Sequence, residues 1–204
     1  LAVAEVLAEL KDDLAGTIKL VFQPAEEGVR GAKAMVVKGV VDDVDYLLGM
    51  HLGFNTDKRG QIACNIDGFL ATTKLDAVFT GVPAHAGAAP ETGRNALLAA
   101  AAAALNLHAI ARHSEGASRI HVGTLQAGTG RNVIPANAVI KLETRGVTTK
   151  INEYMCEQAM RIITSAAAMY GVEVEIMEMG GAAGANNDAI LVERLHDVAR
   201  RLDS

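Results

Sequence analysis

Tryptophan is absent from this 204-residue chain and aromatic residues make up only 3% of it, so little is available to stack on nucleic-acid bases. An excess of basic charge is lacking too. The 19 basic and 24 acidic side chains are interspersed and leave a net charge of −5, with no basic stripe for a phosphate backbone. Nucleic acid is therefore excluded as a partner. The two cysteines, Cys64 and Cys156, are far apart and without a Cys-x-x-Cys spacing. They read as buried free thiols in a reducing, cytoplasmic compartment rather than as a disulfide or metal cluster. No long hydrophobic run occurs. The most apolar stretch, Ala96 to Ile110, is interrupted by Asn106 and His108 and is too short for a bilayer of ~30 Å, so it reads as a packed helix and no membrane is expected. Leu1 to Leu14 carries Glu5, Glu9, Lys11, Asp12 and Asp13, unlike the basic start and apolar run of a secretory signal. What the chain does have is a composition that is 50% hydrophobic, enough for one large core or two small ones.

In the opening segment Val3, Val6, Leu7, Leu10 and Leu14 recur at helical spacing and predict a helix with one buried face, stopped by Gly16. Thr17 to Phe22 reads as a short strand ended by Pro24, Val29 to Lys38 as a helix closed by Gly39, and Asp45 to Met50 as a second strand. From Leu70 the rhythm changes. Leu75, Ala77 and Phe79 alternate with polar neighbours in a strand. A helix is expected over 93–112, strands over 118–126 and 137–145, and a helix carrying Ile151, Met155, Ala159, Ile162, Ile163, Ala166 and Tyr170 up to Gly171. A strand through Val172, Val174 and Ile176 completes a βαββαβ order, that of a ferredoxin-like layer. The expected organisation is an α/β domain made of residues 1–70 and 181–204, with a ferredoxin-like α+β domain inserted at 71–180. Gly180, Gly181 and Gly184 are read as the return hinge, and Leu191, Leu195 and Val198 as the inward face of a last helix.

The chemistry-bearing residues begin at Glu26-Glu27, between Pro24 and Gly28. Adjacent side chains on an extended turn point to different sides, so one carboxylate can grip a cation while the other takes a proton from water. A solvated surface pair is the alternative reading. His51 falls at the end of the second expected strand, and an αβαβ order would set it on one rim with the glutamates. His108, His113, His121 and His196 read as surface or packing residues.

Four stretches in order, Thr17 to Gly28 with Gln23-Pro24-Ala25-Glu26-Glu27-Gly28, Gly49-Met50-His51-Leu52, Gly81-Val82-Pro83-Ala84-His85-Ala86-Gly87 and Asn132-Val133-Ile134-Pro135, resemble the M20 family of metallopeptidases and amidohydrolases, in its amidohydrolase branch. The likeness implies a zinc-peptidase-like α/β catalytic domain with an inserted dimerisation or lid domain. It implies Glu27 as a metal ligand, Glu26 as the general base, and His51 as a ligand of a second metal. It implies His85 as a donor reaching into the active site of a partner protomer, Asn132 as a substrate contact, and Arg145 as an arginine meeting a substrate carboxylate, with Arg131 a weaker candidate for that role. An ordinary ion pair explains Arg145 equally well, since Lys141 and Glu143 share its strand face.

The resemblance further implies two divalent metal ions, zinc or manganese, in the complete enzyme. The implied reaction is hydrolysis of the amide of p-aminobenzoyl-glutamate, a folate breakdown product, with a hippurate-like or indole-acetyl conjugate as the alternative substrate. Pairing would run through the inserted domain, with a second copy or a related B subunit, and a noncatalytic assembly and binding module is the rival role. Two elements of the family pattern, an upstream Cys-Gly-His-Asp-type motif and a histidine near the carboxyl terminus, are not in this sequence. The expectation is therefore an incomplete piece of the enzyme, inactive as given and poor at holding metal.

Overall fold

The computed structural model describes residues 1–26, 28–51, 53, 58, 60–65 and 68–202. The chain divides into two compact units, Leu1–Leu52 and Gly53–Ser204.

In the first unit, helix α1 spans Ala2–Glu9 and a single 3-10 turn follows at Lys11–Asp13. Gly16 then takes a left-handed φ of +102°, as the stop signal at that position requires. Helix α2 spans Gly31–Val37, and Gly39 turns the chain at φ +73°. Two expectations fail here. Residues 17–22 and 45–50 do not form strands, and the face of α1 is not buried: Val3, Val6, Leu10 and Leu14 are all exposed. The cause is common to both. A strand covered on both faces is held by ladder bonds to neighbours from distant segments, and among the described residues no ladder reaches 17–22 or 45–50. Their apolar side chains stand open, with Phe22 at 66% and Met50 at 84% relative exposure. The expected strand-end rim for Glu26 and His51 is accordingly not built here.

The second unit contains a four-stranded sheet. Strand β1 is Ala71–Thr80, helix α3 Ala96–Leu107, β2 Ser118–Ala127, β3 Asn137–Gly146, α4 Thr149–Met169, β4 Glu173–Ala182 and α5 Ala189–Leu202. The strands lie in the order β2-β3-β1-β4 and every neighbouring pair is antiparallel. Period-two patterning decides which face is covered. Leu75, Ala77 and Phe79 of β1 sit opposite Leu142, Ile140 and Ala138 of β3, and all six are buried. Helices α3 and α4 pack on each other and on this face. The alanines of α3 make the close approach possible: Ala96, Ala99, Ala100 and Ala103 are wholly buried, and alanine combines high helix propensity with a small radius. Asn95 caps α3 by accepting from Leu98 N–H at 3.1 Å, and Thr148 caps α4 by accepting from Ile151 N–H at 3.2 Å.

A buried polar link ties α4 to the sheet. Thr144 Oγ1 donates to Asn152 Oδ1 at 2.9 Å, and Asn152 Nδ2 donates to Thr73 Oγ1 at 2.8 Å. The opposite face of the sheet is polar, with Asp76 and Lys141 directly opposed and ion-paired at 3.2 Å. Gly180 and Gly181, expected in a hinge, instead pair with Lys74 and Thr73 as part of β4. The return begins later, where Gly184 N–H donates to Thr149 Oγ1 at 3.1 Å. On α5, Leu195 and Val198 are exposed rather than inward. None of the described helices is long and apolar enough to cross a membrane.

Both cysteines are free but only partly buried, which corrects the expectation of buried thiols. Burial, reinforced by Glu178 and Glu157, pushes the Cys156 thiol above its ordinary pKa. Fewer thiolates then exist at a given pH, and the thiolate is the nucleophile. Iodoacetamide is expected to alkylate Cys156 several-fold more slowly than free cysteine at about pH 8, with the rate still climbing above the ordinary thiol range. Mass-spectrometric time courses at several pH values check this, and Glu178→Gln should hasten the reaction.

Candidate active-site elements

Glu26 lies in a tight turn of the first unit. Val29 N–H donates to Glu26 O at 2.8 Å, and Ala25 and Val29 flank the turn with φ of +53° each. Left-handed backbone is unfavourable for a β-branched residue such as Val29, and strain of this kind gathers at functional sites. The turn is closed from behind by Gly31, whose backbone approaches Pro24 so nearly that a Cβ would stand 1.6 Å from the Pro24 carbonyl oxygen. The Glu26 carboxylate is exposed and forms no hydrogen bond or ion pair among the described residues, so it is free to accept a proton. Glu27, the expected metal ligand, lies outside the described residues. His51 is exposed at the end of the same unit. Among the described residues no group of three or more His, Cys, Asp or Glu side chains could hold a metal ion. Zinc takes three or four protein ligands, so the described part of this chain does not fit a closed metal site by itself.

His85 is better defined. Thr80 at the end of β1 and Asn137 at the start of β3 are ladder partners, so the loops beyond them meet at one end of the sheet. Ile134 N–H donates to Ala84 O at 2.9 Å and Ala86 N–H to Asn132 O at 3.0 Å, with His85 and Val133 bridged between them. This stitching brings the His85 and Asn132 segments together. The turn leading to Asn132 passes through Gly128 at φ +78°, which glycine adopts without Cβ strain. His85 Nδ1 accepts from two backbone donors, Gly87 N–H at 3.1 Å and Ala88 N–H at 3.2 Å. An acceptor nitrogen carries no proton, so the ring proton is on Nε2. The side chain is exposed, and its Nε2–H has no partner among the described residues. The result is a fixed imidazole offering one outward donor. At the same end of the sheet Pro83, Val133, Ile134 and Pro135 contribute to a mostly apolar cavity of ≈ 320 Å³, which His85 itself does not line.

Arg131 and Asn132 are exposed at this end of the sheet. Arg145 is not. It pairs with Thr72 near the other end of the β1–β3 ladder, eight residues from Asn137, which is about 27 Å along a strand. There Glu143 accepts from its Nε at 2.9 Å and from its Nη2 at 3.4 Å. The two amide donors that set the His85 ring escaped the sequence reading. The adjacent small residues Ala86, Gly87 and Ala88, able to turn their N–H groups back on the ring, were the available signal.

Known proteins are similar to this chain in sequence and fold. The chain matches the Peptidase family M20/M25/M40 over residues 1–203 and belongs to that family, whose enzymes are generally dependent on divalent metals. It is 57% identical over 186 residues to the A subunit of p-aminobenzoyl-glutamate hydrolase from Escherichia coli (strain K12), covering 91% of this chain and 42% of that protein. It is 56% identical over 202 residues to indole-3-acetyl-aspartic acid hydrolase of Enterobacter agglomerans, covering 99% and 46%. The crystal structure of an aminobenzoyl-glutamate utilization protein from Klebsiella pneumoniae matches with a TM-score of 0.90 at 54% identity, covering 97% of this chain and 50% of that one. The chain thus spans about half the length of the curated relatives it matches.

Proposed function

We propose that this chain is part of an amidohydrolase that cleaves p-aminobenzoyl-glutamate to p-aminobenzoate and glutamate. The observation that carries the reading is the imidazole of His85, pinned through Nδ1 by two backbone donors and left with an outward Nε2–H. Such a donor suits the oxygen of an amide under attack, where negative charge develops. Residues 71–180 would be a ferredoxin-like inserted lid and dimerisation domain, and 1–70 with 181–204 part of the catalytic domain. The paired strand ends beside His85 support that division of labour.

In the working assembly, a cytoplasmic homodimer or a pair with a related B subunit, His85 serves the partner's reaction. One relative carries the name of an A subunit, which favours such pairing. Glu26 takes a proton from the attacking water and passes it to the leaving nitrogen. The complete protein takes two divalent cations, zinc or manganese, with Glu27 and His51 among their ligands. Asn132 contacts the substrate and Arg145 meets its carboxylate, with Arg131 a weaker candidate for that role. The apolar cavity at the same end of the sheet offers a seat for an aromatic acyl group.

A second reading, an indole-acetyl-aspartate hydrolase, is favoured by the 56% identity to an enzyme of that name. Steady-state kinetics of the complete protein decide between them. The expected kcat/KM is at least about tenfold higher for p-aminobenzoyl-glutamate than for indole-3-acetyl-aspartate, the scale of discrimination a shaped pocket provides. The reverse order would transfer the assignment to the second reading, and no hydrolysis of any N-acyl amino acid would leave only an assembly role.

A further inference from the structure

Along β3 the residues Ala138, Ile140 and Leu142 are buried beneath the helices, so Asn137 and Val139 stand on the face of the sheet that the helices leave open. Gln126 of β2 is the ladder partner of Val139. Its carboxamide therefore lies on that same face and diagonal to Asn137, a separation that long side chains span. Gln126 and Asn137 are both exposed, and neither side chain forms a hydrogen bond among the described residues. Both line the ≈ 320 Å³ cavity walled by Pro83, Ile134 and Pro135. Val133, bridged to His85, lines it too. The turn beyond β2 is set hard against one wall, since a Cβ on Gly128 would stand 3.3 Å from Pro135 Cγ. Among the described residues the Thr129 hydroxyl is the remaining polar side-chain group on the lining, so an apolar slot carries two uncommitted carboxamides.

We propose that Gln126 and Asn137 recognise a primary arylamine on the acyl ring, and so set a preference for a p-aminobenzoyl group over a plain benzoyl or an indole-acetyl group. The inference rests on the hydrolysis proposed above and adds the residues that select its acyl group. An amino group conjugated with an aromatic ring offers two N–H donors and a nitrogen too electron-poor to accept well. The carboxamide oxygens on β2 and β3 supply two acceptors. Apolar walls take the ring while a few placed polar groups fix its orientation, the usual division in small-molecule sites. Indole offers one N–H, which leaves one carboxamide without a partner, and an unsubstituted benzoyl ring leaves both so. Because both side chains are open to water without substrate, each bond brings only an ordinary net gain, about tenfold in affinity at most.

The test compares p-aminobenzoyl-glutamate with benzoyl-glutamate in the complete protein, two substrates that differ only in the amino group. The expected kcat/KM favours the amino substrate by about tenfold or more. Gln126→Met, close in shape and without a strong acceptor, should bring that ratio toward one through a loss on the amino substrate. Gln126→Glu, which keeps the oxygens, should preserve it. A ratio near one in the unaltered protein, or a ratio that Gln126→Met leaves standing, would overturn the assignment while hydrolysis continued, so the proposed reaction would survive it. The 204-residue chain supplies an arm that needs no turnover, in which p-aminobenzamide and benzamide are titrated against isotope-labelled protein and followed by NMR. Saturable shifts of the Gln126 and Asn137 side-chain amide signals are expected with p-aminobenzamide, and several-fold weaker binding with benzamide. Equal affinity for the two probes, or shifts that leave both carboxamides untouched, would overturn the assignment whether or not the complete protein hydrolyses either substrate. Selective shifts without hydrolysis would keep the arylamine site and discard the reaction.

Discussion

Replacing His85 by alanine in the complete protein is expected to lower kcat by about 10²–10³, the loss of roughly 2.7–4 kcal/mol found when one oxyanion donor is removed elsewhere. The reason lies in when the Nε2–H matters. A ground-state amide oxygen carries only partial charge, and the oxygen of the tetrahedral species carries nearly a full one, so a fixed donor acts mainly on the second. KM should therefore change little, and kcat and kcat/KM should fall together. The fixing is as important as the donor. Gly87 and Ala88 hold Nδ1 by their N–H groups, so the ring does not have to find its tautomer or its orientation during the reaction. Steady-state kinetics over a range of substrate concentrations check this. A variant with unchanged kcat and a raised KM would make His85 a binding residue. If the histidine is donated across a dimer, mixing the His85→Ala chain with one lacking Glu26 should restore part of the activity, because one of the two mixed sites then has both groups.

What the sequence disclosed, and what it hid, follows from where each structural constraint originates. The alternation of Leu75, Ala77 and Phe79, and of Ala138, Ile140 and Leu142, encodes a covered face within a few residues. The antiparallel partners lie within the same unit, so those strands form where expected. Residues 17–22 and 45–50 have strand-like composition, but composition does not supply the neighbours whose ladder bonds make a strand. Among the described residues those neighbours are missing. Glycine was misleading at Gly180 and Gly181: the pair suggested a hinge, yet the sheet continues through them with a register shift opposite Lys74 and Leu75. His85 was legible as a residue type in a recognisable setting, whereas its tautomer depended on two backbone amides that no side-chain pattern reveals. The ion pair of Arg145 with Glu143 could be foreseen from their spacing on one strand face. Its confrontation with Arg119 could not, because that pairing is set by the β2–β3 register, and the register shifts between Val122 and Thr124.

Phe79→Ala is expected to destabilise the second unit by about 3–5 kcal/mol, the usual range for truncating a buried phenylalanine. Three features put this position at the upper end. Phe79 is wholly buried, and it belongs to β1, which is flanked by β3 and β4. It also joins the same core cluster as α3 and α4. The alanine-rich α3 has short side chains that cannot swing into the space left behind, so the cavity stays open and its lining loses dispersion contacts. The neighbouring Val78 points to the other face of the sheet, so Val78→Thr should cost less than about 1 kcal/mol, close to what surface substitutions do. Urea unfolding followed by circular dichroism separates the two variants, with a lower midpoint and an unchanged slope for Phe79→Ala. A loss of that size is a large part of the roughly 5–15 kcal/mol that holds a typical domain together. Equal small shifts for both variants would mean that the helices do not press on the Phe79 face at all, and the layered core that positions His85 would have to be redrawn.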